Sequence, residues 1–166
     1  MPTPAIPEII RTVFGDPADP MTAVELRART LFPTTPLIVW EADADPLAFT
    51  YVGGDAEYLL GYPVSAWYMT PSFWADTVVC PEDREDVIEY CALTTRRGQD
   101  HRFEYRARRR DGGIVWLTDY VTVLHDAQGR PVKLRGLMFD VTAAKRLEGR
   151  YEDAPTVRIP ALAELR

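Results

Sequence analysis

The chain contains little cysteine and histidine, with two residues of each among its 166. Cys80 and Cys91 are too few for a disulfide framework, and a chain of this length buries enough surface to fold without one. The histidines, His101 and His125, are far from each other and from Cys80 in the sequence. No group of residues therefore has metal-ligand spacing, and we predict no metal site.

Long apolar runs are also missing. No stretch approaches the roughly 20 apolar residues that a membrane-spanning helix needs. The N-terminal residues include no basic segment leading into an apolar run, which is the pattern of a secretory signal. We therefore expect no membrane partner and a cytoplasmic location.

Basic residues are outnumbered, with 19 Lys and Arg against 25 Asp and Glu and a net charge of -6. Nucleic-acid binding needs clustered positive charge, so this balance predicts no nucleic-acid partner. One basic run, from Arg106 to Arg110, opposes the trend. We interpret it as a solvated strand end that could pair with acidic groups of a partner.

The chain divides into four parts. Prolines recur through residues 1–20, which we predict to be an irregular N-terminal arm. Residues 21–35 predict a flanking helix, in which Thr22 caps the N-terminus and Glu25 completes a capping box. Residues 36–142 then form the core domain, and residues 143–166 a C-terminal helix and tail.

Within the core, the hydrophobic pattern changes its period along the chain. A β-rich hairpin comes first, followed by a short helix and a longer helix that begins at Pro81, where the fixed φ of proline is favourable. From residue 101 the period becomes two, and the turns at Asp111-Gly112 and at residues 126–129 separate three strands. The predicted strands are 37–41, 49–52, 101–108, 114–124 and 132–141.

Four short motifs in this order resemble those of a PAS domain with its PAC-type C-terminal half. The stretch FTYVGGDAEYLLGY resembles the second strand and first helix of that family, and FWADTVVCPEDRE resembles the approach to its long helix. FEYRARRRDGGIVWL resembles the first turn of the family's meander, and GLMFDVT its last strand. The resemblance covers roughly residues 36–148. Cys80 departs from the pattern, because the family usually has a histidine before this proline.

The resemblance implies an α+β fold, with a five-stranded antiparallel sheet in the order 2-1-5-4-3 and helices over one face. It also implies a sensory role through partner binding and no chemistry of its own. The second face of such a sheet must also be covered, and the N-terminal helix or a partner subunit is the natural cover.

The cofactors known in this family find little support in the sequence. Haem-binding members usually place the axial histidine on the long helix, but residues 82–97 contain none; His101 and His125 lie near strand ends and are interpreted as polar edge residues. Flavin-binding members carry a reactive cysteine in an Asn-Cys-Arg-Phe-Leu-Gln motif that is absent. Cys80 lies at a helix N-terminus, but its acidic neighbours favour a structural thiol over a redox sensor. We predict no cofactor.

A pocket for a small apolar ligand between sheet and helices remains a hypothesis. Its predicted walls are apolar, so it would select by shape more than by hydrogen bonding. The candidate residues are Val39, Leu60, Val87, Phe103, Tyr105, Leu117 and Met138.

The end of the last strand is the predicted signal relay. Asp140 and Thr142 lie where the strand turns into the terminal helix, and Thr142 could cap that helix. Beyond it, Ala144, Leu147 and Tyr151 have the spacing of a paired-helix seam. A helix that docks on its own sheet explains the pattern almost as well, in which case the interface would use Val24 and Leu31 of the N-terminal helix.

Three functions follow from these patterns. The first is a PAS-type sensory module, homodimeric, that regulates a separate signalling protein. The second is a receptor domain for a small molecule or haem. The third is an enzyme on a similar scaffold, which the sequence does not favour: neither Ser65 nor Ser72 has a histidine nearby, and no glycine-rich nucleotide-binding motif follows.

Overall fold

The structure, a computed structural model, describes residues 6–149. Five strands form one antiparallel sheet in the order β2-β1-β5-β4-β3, which confirms the fold class and strand order expected from the sequence. The strands are β1 (Leu37–Ala44), β2 (Leu47–Gly54), β3 (His101–Arg108), β4 (Ile114–His125) and β5 (Pro131–Asp140).

Six α-helices and one π-helical turn accompany the sheet in this part of the chain. Four of these elements lie between β2 and β3 and cover the inner face of the sheet, as the resemblance implied. The elements are α1 (Glu8–Phe14), α2 (Met21–Leu31), α3 (Ala56–Leu60), α4 (Ser65–Met69), the π-helical turn (Trp74–Val78), α5 (Pro81–Arg96) and α6 (Thr142–Leu147).

The inner face of the sheet is built in rows that cross the central strands. Trp40 of β1 pairs with Gly136 of β5, Gly136 pairs with Val121 of β4, and Val121 pairs with His101 of β3. Gly136 has no side chain, and a Cβ built there would overlap the Trp40 indole. The indole therefore lies flat across β5 and points toward β4.

The outer face is covered by α1 and α2. Their buried residues, among them Val13 and Val24, form a second apolar cluster with Val39, Leu137 and Phe139 of the sheet. The prediction that residues 1–20 are irregular was therefore wrong for α1. The prolines lie on either side of this helix, and the burial of its apolar side chains on the sheet stabilises it where local propensity is weak.

The start of α2 also differs from the sequence expectation. Pro20 occupies the N-cap position, and no side chain caps the helix, so Thr22 and Glu25 do not form a capping box. The Glu25 carboxylate instead accepts hydrogen bonds from the Gly54 N–H and, at 3.1 Å, from the Tyr51 hydroxyl. These bonds attach α2 to the end of β2.

The basic run in β3 is more than a solvated strand end. Arg106 forms a two-pronged ion pair with Asp83 of α5, at 2.6 Å from Nη2 to Oδ1 and 3.1 Å from Nε to Oδ2. Asp83 is fully buried and also accepts the Arg106 backbone N–H at 2.8 Å. The interpretation of Arg106 as a solvated residue was wrong, because the start of α5 lies along the edge of β3 and brings the buried carboxylate of Asp83 next to it.

Candidate functional site

A small cavity lies inside the domain, between the inner sheet face and α5. Its volume is about 20 Å³. Aromatic and aliphatic side chains form most of its wall, including Trp40, Trp74 and Phe103, but Asp119 and His101 also line it. A cavity of this size holds about one water molecule or one small polar group.

Asp119 projects from β4, the strand between β5 and β3, into this cavity and is fully buried. The Trp40 Nε1–H donates a hydrogen bond to its Oδ1 at 3.1 Å. Its Oδ2 has no hydrogen-bond partner among residues 6–149. Burial raises the pKa of the Asp119 carboxyl well above its ordinary value, and the Trp40 hydrogen bond opposes that shift only in part. This environment favours the neutral carboxyl, in which Oδ2 carries the proton as a donor while Oδ1 accepts from Trp40.

His101 begins β3 and lies opposite Val121, which is two residues from Asp119 along β4. Its Nδ1 lies 2.8 Å from the backbone oxygen of Gln99, which can only accept, so Nδ1 carries the proton. Burial lowers the pKa of His101 to about 4, so the ring is neutral at pH 7. Its Nε2 is then an acceptor, and it has no partner within the described part of the chain.

This placement corrects the sequence interpretation of His101. The residue was expected at a polar strand edge, yet its side chain is fully buried and its ring stacks on Phe103 at 6.0 Å. The strand phase explains the difference, since residues 101, 103 and 105 all face the helices. His125, at the end of β4, is exposed as expected.

A wider groove opens beside the inner cavity. It has a volume of about 420 Å³ and is walled by residues 44–47, residues 71–75 and residues 88–96. Four side chains line both the groove and the inner cavity, and we name them the collar: Leu47, Trp74, Cys91 and Leu134. The groove is mostly apolar, and the collar side chains separate it from the two polar atoms of the inner cavity.

The predicted pocket residues are distributed differently from the sequence hypothesis. Of the seven, only Phe103 lines the inner cavity. Val39 faces the outer side of the sheet and packs with the N-terminal helices, so its assignment to the pocket was wrong. Its neighbours in β1 face inward, and alternation places Val39 on the other side. The remaining five pack inside the main core: Leu60, Val87, Tyr105, Leu117 and Met138.

Two of those five are engaged in a hydrogen-bond chain. The Trp74 Nε1–H donates to the Tyr105 hydroxyl at 3.0 Å, and that hydroxyl donates to the Met138 sulfur at 3.4 Å. Asp119 and Trp40 were not predicted from the sequence. A signal existed for Asp119, because alternation within β4 places it on the inner face between two apolar residues.

The predicted relay residues, Asp140 and Thr142, lie beside Trp116, near the start of β4. The Thr142 hydroxyl accepts the Trp116 backbone N–H at 2.9 Å and donates to Asp140 Oδ1 at 2.5 Å. Val141 occupies the N-cap position of α6, so Thr142 binds the strand and does not cap the helix. Lys145 of α6 is also buried.

The helix α6 therefore docks on the sheet through one side. Lys145 pairs with Glu104 of β3 at 2.5 Å and lies over the Trp116 ring at 5.1 Å from its centroid. The opposite side leaves Leu147 90% exposed. Tyr151, the third residue of the predicted seam, lies outside the described residues.

The alternative interface residues of α2 differ from each other. Leu31 is partly exposed, at 39%. Val24 is fully buried against the sheet of its own chain, so its assignment to an intersubunit contact was wrong. The N-terminal helix directs its most apolar side inward because the outer sheet face is apolar.

Both cysteines are free thiols. Burial, together with the charges of Asp83 and Glu82, raises the pKa of Cys80 to about 11, which outweighs any effect of the helix N-terminus. Burial likewise raises the pKa of Cys91 well above its ordinary value. Neither thiol has the thiolate character of a redox sensor. Residues 6–149 contain no cluster of three or more metal-ligating side chains, and no helix there is long and apolar enough to cross a membrane.

The dimensions of the interior bear on flavin and haem. Trp40, Trp74 and Phe103 fill the space around His101 and Asp119 and leave a cavity of about 20 Å³ there. The three fused rings of a flavin or the macrocycle of a haem require a far larger space. Although His101 presents a free Nε2, the residues around it do not fit either group.

Comparison with known proteins gives a consistent result. The family model described as the PAS fold matches residues 49–138. The N-terminal domain of a diguanylate cyclase with a PAS/PAC sensor from Marinobacter aquaeolei is 38% identical, with a TM-score of 0.61 over 65% of this chain and 97% of that chain. No curated protein matches the chain.

More distant structures share the fold. A sensory box histidine kinase/response regulator from Burkholderia thailandensis is 22% identical, with a TM-score of 0.59 over 74% of this chain and 90% of that chain. The LOV domain of a blue-light activated histidine kinase from Erythrobacter litoralis is 18% identical, with a TM-score of 0.51 over 64% of this chain and 97% of that chain.

Proposed function

Since the chain belongs to the PAS fold family, as its sequence motifs indicated, we propose that it is a sensory module gated by a small apolar molecule. In this proposal the groove binds the molecule, and the domain acts through protein–protein contacts. It forms a homodimer and regulates a separate signalling protein. The sensor domain of the similar diguanylate cyclase supports a regulatory role over a catalytic one.

The strand β4 carries this proposal. Asp119 lines the inner cavity. Trp116, three residues earlier in the same strand, forms two hydrogen bonds with the start of α6 through its backbone N–H and C=O groups. Its N–H donates to the Thr142 hydroxyl, and its carbonyl oxygen accepts the Val141 N–H at 2.8 Å. A ligand that shifts β4 would therefore move the base of α6 directly.

The exposed side of α6 supports the dimer part of the proposal. Leu147 is an apolar residue with most of its surface open, and Ala144 lies one turn before it on the same side. An exposed apolar side on a helix that is anchored on its other side is suited to contact a second copy. We place the sensory core at residues 36–142, the N-terminal helices as its cover and residues 143–166 as the output segment. Two free thiols favour a reducing compartment such as the cytoplasm.

Extraction of the purified full chain tests the ligand part. We expect organic extraction and mass spectrometry to recover a small apolar compound from the wild-type protein. Ala92→Trp fills the groove from its exposed rim and should abolish recovery. Ala127→Trp, in the exposed turn between β4 and β5, is the matched control and should retain the compound. Equal recovery from both variants would place the compound elsewhere.

Self-association tests the output part. We expect Leu147→Asp to weaken the dimer in sedimentation equilibrium while circular dichroism shows an unchanged fold. Leu26→Asp changes another exposed leucine, in α2, and should leave the dimer constant unaltered. A dimer constant unaffected by Leu147→Asp and reduced by Leu31→Asp would move the interface to the N-terminal helix.

A further inference from the structure

The inner cavity presents two polar atoms that no described residue satisfies, Asp119 Oδ2 and His101 Nε2. Both side chains are fully buried, and both line the same small space. A buried polar atom left without a partner costs roughly 1–3 kcal/mol. Two such atoms around one cavity indicate that something polar pairs with them there.

We propose that this cavity binds the uncharged polar end of a small molecule, which accepts a hydrogen bond from Asp119 and donates one to His101. A primary carboxamide or a lactam has this chemistry, and its apolar body would lie in the groove beyond the collar. The inference rests on the proposed ligand-binding function and specifies the class of ligand. Such a cavity selects its ligand by two hydrogen bonds as well as by shape, unlike the apolar pocket expected from the sequence.

The direction of each hydrogen bond follows from the surroundings. Trp40 donates to Asp119 Oδ1, so the proton of the neutral carboxyl lies on Oδ2, which faces the ligand as a donor. Gln99 accepts from His101 Nδ1, so Nε2 faces the ligand as an acceptor. The cavity thus offers one donor and one acceptor, as an amide requires.

Charged ends are disfavoured by the same surroundings. Trp40, Phe103 and Leu134 supply apolar walls, and burial favours the neutral form of both polar groups. An ionised carboxylate or ammonium in the cavity would have no counter-charge to offset its desolvation. The ligand end is therefore neutral.

Three matched probes test the inference on the full chain: hexanamide, heptan-2-one and hexanoate. Heptan-2-one replaces the amide NH₂ by a methyl group and so keeps the acceptor but loses the donor. We expect hexanamide to bind and hexanoate at pH 7 to bind at least roughly tenfold more weakly. The NMR signal of the Trp40 indole N–H should shift when hexanamide binds, because the indole and the ligand form hydrogen bonds with the same Asp119 carboxyl.

Variants then separate the two hydrogen bonds. His101→Phe keeps an aromatic ring next to Phe103 but removes the acceptor, and should lower the ratio of hexanamide to heptan-2-one affinity roughly fivefold. Asp119→Asn keeps a carbonyl for Trp40 and an N–H donor for the ligand, and should leave that ratio unchanged. His125→Phe, at the exposed histidine, is the control.

Two results would overturn the inference. One is an affinity ratio that His101→Phe does not change, and the other is a Trp40 indole signal that hexanamide does not shift. In either case the cavity holds only a water molecule, and the groove could still bind an apolar ligand as the proposed function requires. A shifted Trp40 signal with an unchanged dimer constant would instead support the inference and contradict ligand gating.

Discussion

Replacement of Gly136 by alanine tests the central geometry of the site. A Cβ at this position would lie closer than 3.0 Å to three atoms of the Trp40 indole, a separation that real Cβ contacts essentially never show. The neighbour is a large ring buried under α5 and the π-helical turn, so it cannot swing into solvent. We expect the indole to be displaced and its hydrogen bond to Asp119 to break.

The magnitude follows from two contributions. Overpacking of a well-filled core costs about 1–3 kcal/mol. Loss of the Trp40 bond leaves Asp119 Oδ1 buried and unpaired, which costs about 1–3 kcal/mol more. Gly136→Ala should therefore lower the free energy of unfolding by about 2–6 kcal/mol, measured by urea denaturation with circular dichroism as the signal.

Gly113→Ala is the matched control. Gly113 lies in an exposed turn, and the nearest atoms to an added Cβ are the ends of two flexible side chains, Asp111 and Arg109. This variant should change the free energy of unfolding by less than about 1 kcal/mol. Trp40→Leu supplies a second check, because it removes the ring and should reduce the cost of Gly136→Ala to below about 1 kcal/mol. Equal losses for Gly136→Ala and Gly113→Ala would refute the packing of the indole over β5.

Three further predictions concern single side chains. The pKa of His101 is lowered from 6.5 to about 4 in the folded state, so the unfolded state binds more protons between these pH values. The buried carboxyl of Asp119 has a raised pKa and contributes with the opposite sign, so the His101 effect is read as the difference in unfolding free energy between wild type and His101→Gln. That difference should fall by about 3 kcal/mol as pH drops through this window, and the difference between wild type and His125→Gln should not. Arg106→Ala leaves its buried aspartate unpaired and should cost about 3–5 kcal/mol in denaturant melts, whereas Arg110→Ala, at an exposed turn, should cost less than about 0.5 kcal/mol. Thr142→Val removes the hydroxyl that accepts the Trp116 N–H, and should lower the free energy of unfolding by about 1–3 kcal/mol and speed hydrogen exchange at the Trp116 amide. Unchanged exchange at this amide would show that the bond does not link α6 to β4.

The sequence motifs were informative about the fold because they are local. Pro81, the turn at Asp111-Gly112 and the alternation that begins at residue 101 each depend on neighbouring residues only. Together with the family resemblance they predicted the sheet order and the long helix correctly. The strand bounds were shorter than observed in β1 and β2, since pairing with adjacent strands extends a strand beyond its apolar run.

The site was harder to predict because it depends on contacts between distant residues. Alternation alone placed Phe103 and Tyr105 correctly on the inner face. Val39 was assigned to the inner face, whereas its side chain lies on the outer face. Trp40 reaches Asp119 across 79 positions of sequence, and only because Gly136 leaves room between them. No local pattern in the sequence contains that relation.

By itself, then, the sequence determined the family, the antiparallel sheet and the alternation of each strand, because propensity and period are properties of short segments. The tertiary structure decided which polar groups are buried together. Asp119 and His101 are ordinary strand residues until β3, β4 and α5 enclose them, and desolvation then favours the neutral form of each. The protonation states that define the ligand end are therefore a consequence of packing.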